Sequence, residues 1–247
     1  MSHYRNYCDE FYVNLNLNTE MELPTRRDTL LHFFEQLQKR YPTMRNFYNR
    51  ERSEYILEED KDSGSYRWAT VDLKRICSGY VNPPSLEEAT SQHQLVLESV
   101  PYTLSVSPLD CESLNFMFGF DYSYRGNHHK LLSDALGIAP AFDKLIDSPD
   151  RRLVSYEPAI QFALDEDCRT QCRMSIETRT NAYQIRTGEF PEEQLSVYLT
   201  MRHYGSMNGK DALSETLTKL QQLGTEILEN HVIENVLVPL QQTIAIK

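Results

Sequence analysis

Two stretches of alternating residues, about a hundred positions apart, limit what this chain can build. In the second, Leu114, Phe116, Phe118, Phe120 and Tyr122 share one parity, and Asn115, Met117, Gly119, Asp121 and Ser123 share the other. Successive side chains of a strand point to opposite faces, so the first set suits a core. Gly119, on the other face, marks a bulge or a close backbone approach. In the first stretch, Phe11, Val13, Leu15 and Leu17 alternate with Tyr12, Asn14, Asn16 and Asn18, which again describes a half-buried strand.

The same order of elements follows each stretch. After the first, Leu30, Leu31, Phe33, Phe34, Leu37 and Tyr41 recur at helical spacing until Pro42 ends the helix. Thr25 and Asp28 resemble a capping box ahead of it. Strands over residues 52–59 and 66–76, joined by a turn at 61–65, then form a hairpin with Ala69, Val71 and Leu73 facing in. After the second stretch, Asn127 caps a helix through Leu131, Leu132, Ala135 and Leu136, and Gly137 stops it. The matching hairpin pairs residues 158–164 with 172–179. Equivalent positions are offset by about 101 to 105 residues.

Between the halves, Ser85 caps a short helix from Leu86 to about Gln92. Residues 95–107 are ambiguous, because Tyr102, Leu104 and Val106 alternate while Pro101 confines any strand there to an edge or a start. Residues 183–187 and 195–204 read as further strands, and 205–209 as a loop. Leu213, Leu217, Leu220, Leu223 and Ile227 form one apolar stripe on a long helix reaching about Val236, before Pro239. The tail, 243–247, alternates like a strand.

The expected fold is α+β. Two similar β-α-β-β halves with antiparallel sheets, 1–108 and 109–205, are closed by a long C-terminal helix and tail, 206–247, all packed as one unit. With its 247 residues and this element order, the chain resembles an uncharacterised, sporadically distributed bacterial protein family. The resemblance covers most of the chain. That family has no established activity, so it implies no role for any residue.

The net charge of −11 argues against non-specific binding to nucleic acid or to an anionic membrane, since both need a basic face. Cys8, Cys77, Cys111, Cys168 and Cys172 are odd in number and form no disulfide framework. No apolar run approaches the ~20 residues of a membrane helix, and the N-terminus has no hydrophobic signal region. A cytoplasmic setting is expected.

Gly126-Asn127-His128 resembles an element of the metallophosphoesterases, but neither Asp-X-His nor Gly-Asp-X-X-Asp accompanies it. The remaining reading is a helix cap followed by two histidines, with no metal or cofactor expected. Asp121 is a general acid or base if burial raises its pKa, or an outward partner of Arg125. Cys168 and Cys172 share parity with Met174 and Ile176 and read as strand thiols. The outward face of the same strand carries Arg173, Ser175, Glu177 and Arg179, with Arg186 and Arg202 on neighbouring strands and Tyr183, Tyr198 and Tyr204 among them. Forked arginines with aromatics suit a carboxylate, a phosphate or a protein hot spot. The first half has the sparser set Arg67, Asp72 and Lys74.

No complete catalytic constellation is present. The leading reading is therefore a non-catalytic binding or assembly module, acting as an oligomer or with a protein partner. Self-association is expected through residues 232–246, whose apolar side chains have no evident place in either half. The alternative is an enzyme acting on a phosphorylated or anionic small molecule, with Asp121 and His128 on one rim and Arg179 and Arg202 opposite.

Overall fold

The two alternating stretches become the central pair of strands in one sheet. A computed structural model describes residues 3–50, 54–148, 151–207 and 212–247. Its strands are β1 (Glu10–Thr19), β2 (Asn46–Arg50), β3 (Glu54–Glu58), β4 (Tyr66–Val71), β5 (Arg75–Val81), β6 (Cys111–Arg125), β7 (Ala159–Ala163), β8 (Thr170–Glu177) and β9 (Glu192–Tyr204). Among the described residues they form one nine-stranded sheet in the order β2-β3-β4-β5-β1-β6-β9-β8-β7. Every neighbouring pair is antiparallel. At the seam, Phe11 lies opposite Phe120 and Leu15 opposite Phe116. Those four side chains, with Leu17, Phe118, Val197 and Leu199, are wholly buried.

All of that burial is on one face, and helices cover it. The helices are α1 (Arg27–Arg40), α2 (Leu86–Thr103), α3 (His128–Leu136), α4 (Pro140–Ile146), α5 (Ala182–Thr187) and α6 (Ala212–Ile227). A π-helical stretch, Leu228–Leu237, follows α6 without a break and leads into α7 (Val238–Ile246). α1 packs on α2, α2 on β5, and α6 on both β6 and β9. α6 approaches the sheet closely at Gly224, where a β-carbon would sit 2.9 Å from Met201 Cγ and 3.1 Å from Phe118 Cε2. None of the described helices is long and apolar enough to cross a membrane.

Several elements differ from the sequence-based expectation. β2 was not anticipated, because Asn46-Phe47-Tyr48-Asn49-Arg50 is an edge strand with little burial and no clean alternation. The stretch expected as one strand over 66–76 is two strands joined by a tight turn at Asp72, so Leu73 is exposed rather than inward. α2 runs through to Thr103 with Pro101 inside it, because Val96, Leu97 and Val100 bury on helical spacing and outweigh the alternation of 102–106. Residues 183–187 lie in α5, which opens with a reciprocal cap between Asn181 and Gln184. The tail is helical: Pro239 stands where the π-helical stretch passes into α7, just after the Val238 N–H bonds back to the Ile233 carbonyl. Val232, Leu237 and Leu240 are buried in the chain's own core and α7 packs on α3, so the tail folds back. The stripe on α6 is buried at Leu213, Leu217 and Leu220 and half-buried at Leu223 and Ile227. Arg52, expected to begin β3, and Asn208 and Gly209 of the expected loop lie outside the described residues.

Candidate functional site

Among the described residues no helix lies over the sheet's other face, and its side chains follow from strand parity. Reading across from β1, register aligns Tyr12, Gly119 and Tyr198, then Asn14, Met117 and Thr200, then Asn16, Asn115 and Arg202. β8 adds Gln171, Arg173, Ser175 and Glu177, and β7 adds Gln161. On the first half the same face carries Cys77 from β5, Tyr66, Trp68 and Thr70 from β4, Glu54, Ile56 and Glu58 from β3, and Tyr48 and Arg50 from β2.

Two clefts of about 350 Å³ indent this face, one on each side of the β1–β6 seam. Met117, Gln161, Gln171, Arg173, Ser175, Glu177, Tyr198, Thr200 and Arg202 line the one over β7–β9. Arg202 is fixed at its floor: Nε donates to Asn115 Oδ1 at 2.7 Å and Nη1 to the Tyr204 hydroxyl at 2.9 Å. Its guanidinium also lies 5.4 Å from the Tyr204 ring centroid. Arg173 is exposed and has no polar partner among the described residues. Glu177, also in the lining, pairs with Arg179 at 3.6 Å. Among the described residues neither Arg173 nor Arg202 makes an ion pair with a carboxylate, in a chain whose net charge is −11. The second cleft is more balanced, with Lys61 bonded to Glu58 at 3.0 Å and the Tyr48 hydroxyl donating to Glu58 at 3.2 Å.

Aromatic rings pave the ridge between the clefts. The Tyr12 ring lies over Gly119 so closely that any β-carbon there would collide with it; this is the close approach expected of that glycine. Trp68 covers Gly79 in the same way. The Asn14 Oδ1 atom in this ridge is buried without a hydrogen-bond partner.

Asp121 sits at one end of the ridge. It accepts from Gln194 Nε2 at 2.6 Å and from the Tyr12 hydroxyl at 3.3 Å. Burial raises its carboxyl above the ordinary range, partly offset by these donors and by Arg179. Burial also raises the facing Glu10, and the Asp121 charge adds to it. Asp121 therefore does not pair with Arg125, which lines a separate surface depression with Asn181, Tyr183 and Gln184.

His128 belongs to the other layer. It is buried in the first turn of α3, with Nδ1 accepting from the Arg179 N–H at 3.3 Å and Nε2 donating to the Tyr124 carbonyl at 3.3 Å. Burial holds its pKa below the usual histidine value. His129 accepts from the Tyr156 N–H at 3.1 Å and faces the Thr180 carbonyl at 3.1 Å. Both rings tie α3 to the segments around Tyr156 and Thr180. Asn127 caps α3, accepting from the N–H groups of His129 and Lys130. Among the described residues, no three His, Cys, Asp or Glu side chains gather as a metal would require.

Of the residues singled out by sequence, Arg173, Glu177 and Arg202 share the cleft, and Arg179 lies just beyond the end of β8 between Glu177 and Asp121. Arg186 is on α5 rather than a strand, stacked 5.2 Å from the Tyr183 ring centroid. Asp121 and His128 both lie within electrostatic reach of Arg179, but neither lines the cleft that holds Arg173 and Arg202. Arg67, expected outward, shares parity with Ala69 and Val71 and lies at the rim of the helix-covered face. There it pairs with Glu59 and Glu88, its guanidinium 4.7 Å from the Tyr41 ring and 4.2 Å from the Tyr80 ring. Asp72 and Lys74 belong to the β4–β5 turn. Sequence reading missed Asn115, Gln161 and Gln171, although the first shares the parity of Asp121. It also missed the cleft on the first half, because β2 was unseen. No protein-family model matches this chain, and a search of curated proteins gives no match either.

Proposed function

We propose that this protein is a non-catalytic binding module whose ligand surface is the open face of the sheet. It takes an extended, carboxylate-bearing segment of a protein partner in the cleft over β7–β9. The observation that carries this reading is the pair Arg173 and Arg202, the first unpartnered and the second held by Asn115 and Tyr204. A guanidinium fixed before its ligand arrives loses little freedom on binding, and its fork matches a carboxylate. The amides of Gln161 and Gln171 and the rings of Tyr198 and Tyr204 supply adaptable and apolar contacts beside it.

The two arrays of strands also support a second proposal, that the chain arose by internal duplication. Moving out from the seam, β1 is followed by β5, β4 and β3, and β6 by β9, β8 and β7. In each array a helix follows the central strand and another follows the strand beside it: α1 and α2 in the first, α3 and α6 in the second. Duplication accounts for two clefts on one face, with β2 as an addition to the first array.

The test is fluorescence anisotropy with a labelled peptide carrying consecutive glutamates, at low salt. Wild-type protein is expected to bind, and Arg173→Ala with Arg202→Ala to weaken binding at least about tenfold, since a hydrogen bond to a charged group contributes about 1.5–3 kcal/mol. Equal binding by wild type and the double variant, or none by wild type, overturns the reading.

A further inference from the structure

The two edges of the sheet are built differently. β2 is flanked by Arg45 and ends in Arg50, and charge at an edge discourages pairing with another strand. β7 is Ala159-Ile160-Gln161-Phe162-Ala163, without a charge, and all five residues are exposed. Ile160 and Phe162 keep 60% and 41% of their surface open to solvent, on the face where helices cover the other strands.

Hydrogen bonding fixes which backbone groups of β7 are free. At one end of the β7–β8 ladder the Leu164 N–H donates to the Thr170 carbonyl at 2.8 Å; at the other the Ile176 N–H donates to the Pro158 carbonyl at 3.1 Å. Even-numbered residues of β7 therefore turn their N–H and C=O groups toward β8. Ala159, Gln161 and Ala163 turn theirs outward, where no strand follows among the described residues.

The segment is also nearly the same read in either direction, with alanine at both ends, a large apolar side chain on each side of the centre, and Gln161 at the centre. We infer that β7 pairs antiparallel with β7 of a second copy of this chain, across a two-fold axis at Gln161. In that register the outward groups of Gln161 meet those of Gln161 in the second copy, and Ala159 meets Ala163. All of these are reciprocal, hydrogen-bonded pairs. Ile160 then lies opposite Phe162 of the second copy at the closer, non-hydrogen-bonded positions, where a branched side chain packs against a ring. The same surface patch serves both copies, as a two-fold interface requires. Gln161 lines the arginine cleft, so pairing sets the clefts of the two copies side by side on one continuous sheet. The pairing does not depend on what that cleft binds. A contact over one short strand is smaller than the ~1,600 Å² of a standard interface, so the dimer is reversible.

Sedimentation velocity from about 5 to about 500 μM tests this, across the range where a small interface dissociates. Wild-type protein is expected to move from monomer to dimer. Gln161→Pro deletes an N–H that points away from β8, so it should keep the circular dichroism of the fold and remain monomeric. As a second arm, Ile160→Lys with Phe162→Lys, and Ile160→Glu with Phe162→Glu, place charges at exposed positions. Each is expected to be monomeric alone, and an equal mixture of the two to dimerise, because residue 160 of one copy faces residue 162 of the other. A wild-type protein that stays monomeric throughout overturns the inference. So does a dimer that survives both charged variants, or a mixture that remains monomeric.

Discussion

His93 shows how far a polar group can be driven from water in this chain. It is wholly buried in α2 beneath β5, its Nδ1 is 3.1 Å from the Ser78 hydroxyl, and its ring meets Phe116 edge-on. Gln92 completes the cluster, donating to Ser78 and to the carbonyls of Trp68 and Gly79. Burial pushes the His93 pKa down from 6.5 to about 3. The unfolded chain binds this proton below its ordinary pKa while the folded chain refuses it, so the stability is complete above pH 6.5 and is lost as pH falls toward 3. At pH 5 the loss is about 2 kcal/mol. Urea titrations at pH 7.5 and pH 5 should show it in wild type, with His93→Leu flattening the difference; parallel losses in both proteins would remove His93 as the cause. The sequence around His93 gave no sign of this burial, because the residues that enclose it come from strands at residues 66–81 and 111–125. Asn127 and Gly137 were legible because a cap answers only to the turn beside it.

At the scale of elements, local pattern sufficed where one face was buried and the other was wet. β1 alternates without exception, and β6 keeps its core parity across its apolar run. The pattern failed where burial was weak, as in β2, or where two periods competed, as in α2. It also failed at the tail, since period-two alternation over five residues does not exclude a helix. The seating of α6 was likewise hidden, because Gly224 is a glycine inside a helix until Met201 and Phe118 are found beneath it. Gly224→Ala gains the intrinsic helix preference of alanine, about 1 kcal/mol, but must push α6 off β6 and β9. Overpacking of this kind typically costs about 1–3 kcal/mol. A net fall in melting temperature is expected by calorimetry; a rise would mean that α6 shifts freely on the sheet.

Across the whole molecule, the helical run from Leu228 to Leu240 belongs to the core, while Ile246 beyond it is exposed. Val232, Leu237 and Leu240 are buried, and Lys247 reaches Asp134 on α3. Fully burying each large aliphatic contributes about 1.5–3 kcal/mol, so deleting all three removes on the order of 5 kcal/mol or more, comparable with the whole stability of many domains. A chain ending at Asn230 should lose its cooperative thermal transition by circular dichroism. An unchanged melt in a truncated chain would show that α7 rests on the surface and contributes little. The apolar pattern of 232–246 was readable from sequence, but whether it covers its own subunit or another depends on α3, a hundred residues earlier.

The seam between the halves carries a consequence for biosynthesis. β1 emerges early from the ribosome and can pair with β5 once residue 81 is made, but its other edge waits for β6, which begins at Cys111. During that interval the nascent chain holds a finished half-sheet with an open edge on a strand whose only charge is Glu10. The strand that later becomes the middle of the molecule is for a time its margin. Translation speed between residues 81 and 125 therefore sets how long that margin is open to other nascent chains, and a pause there would favour pairing between chains over pairing within one.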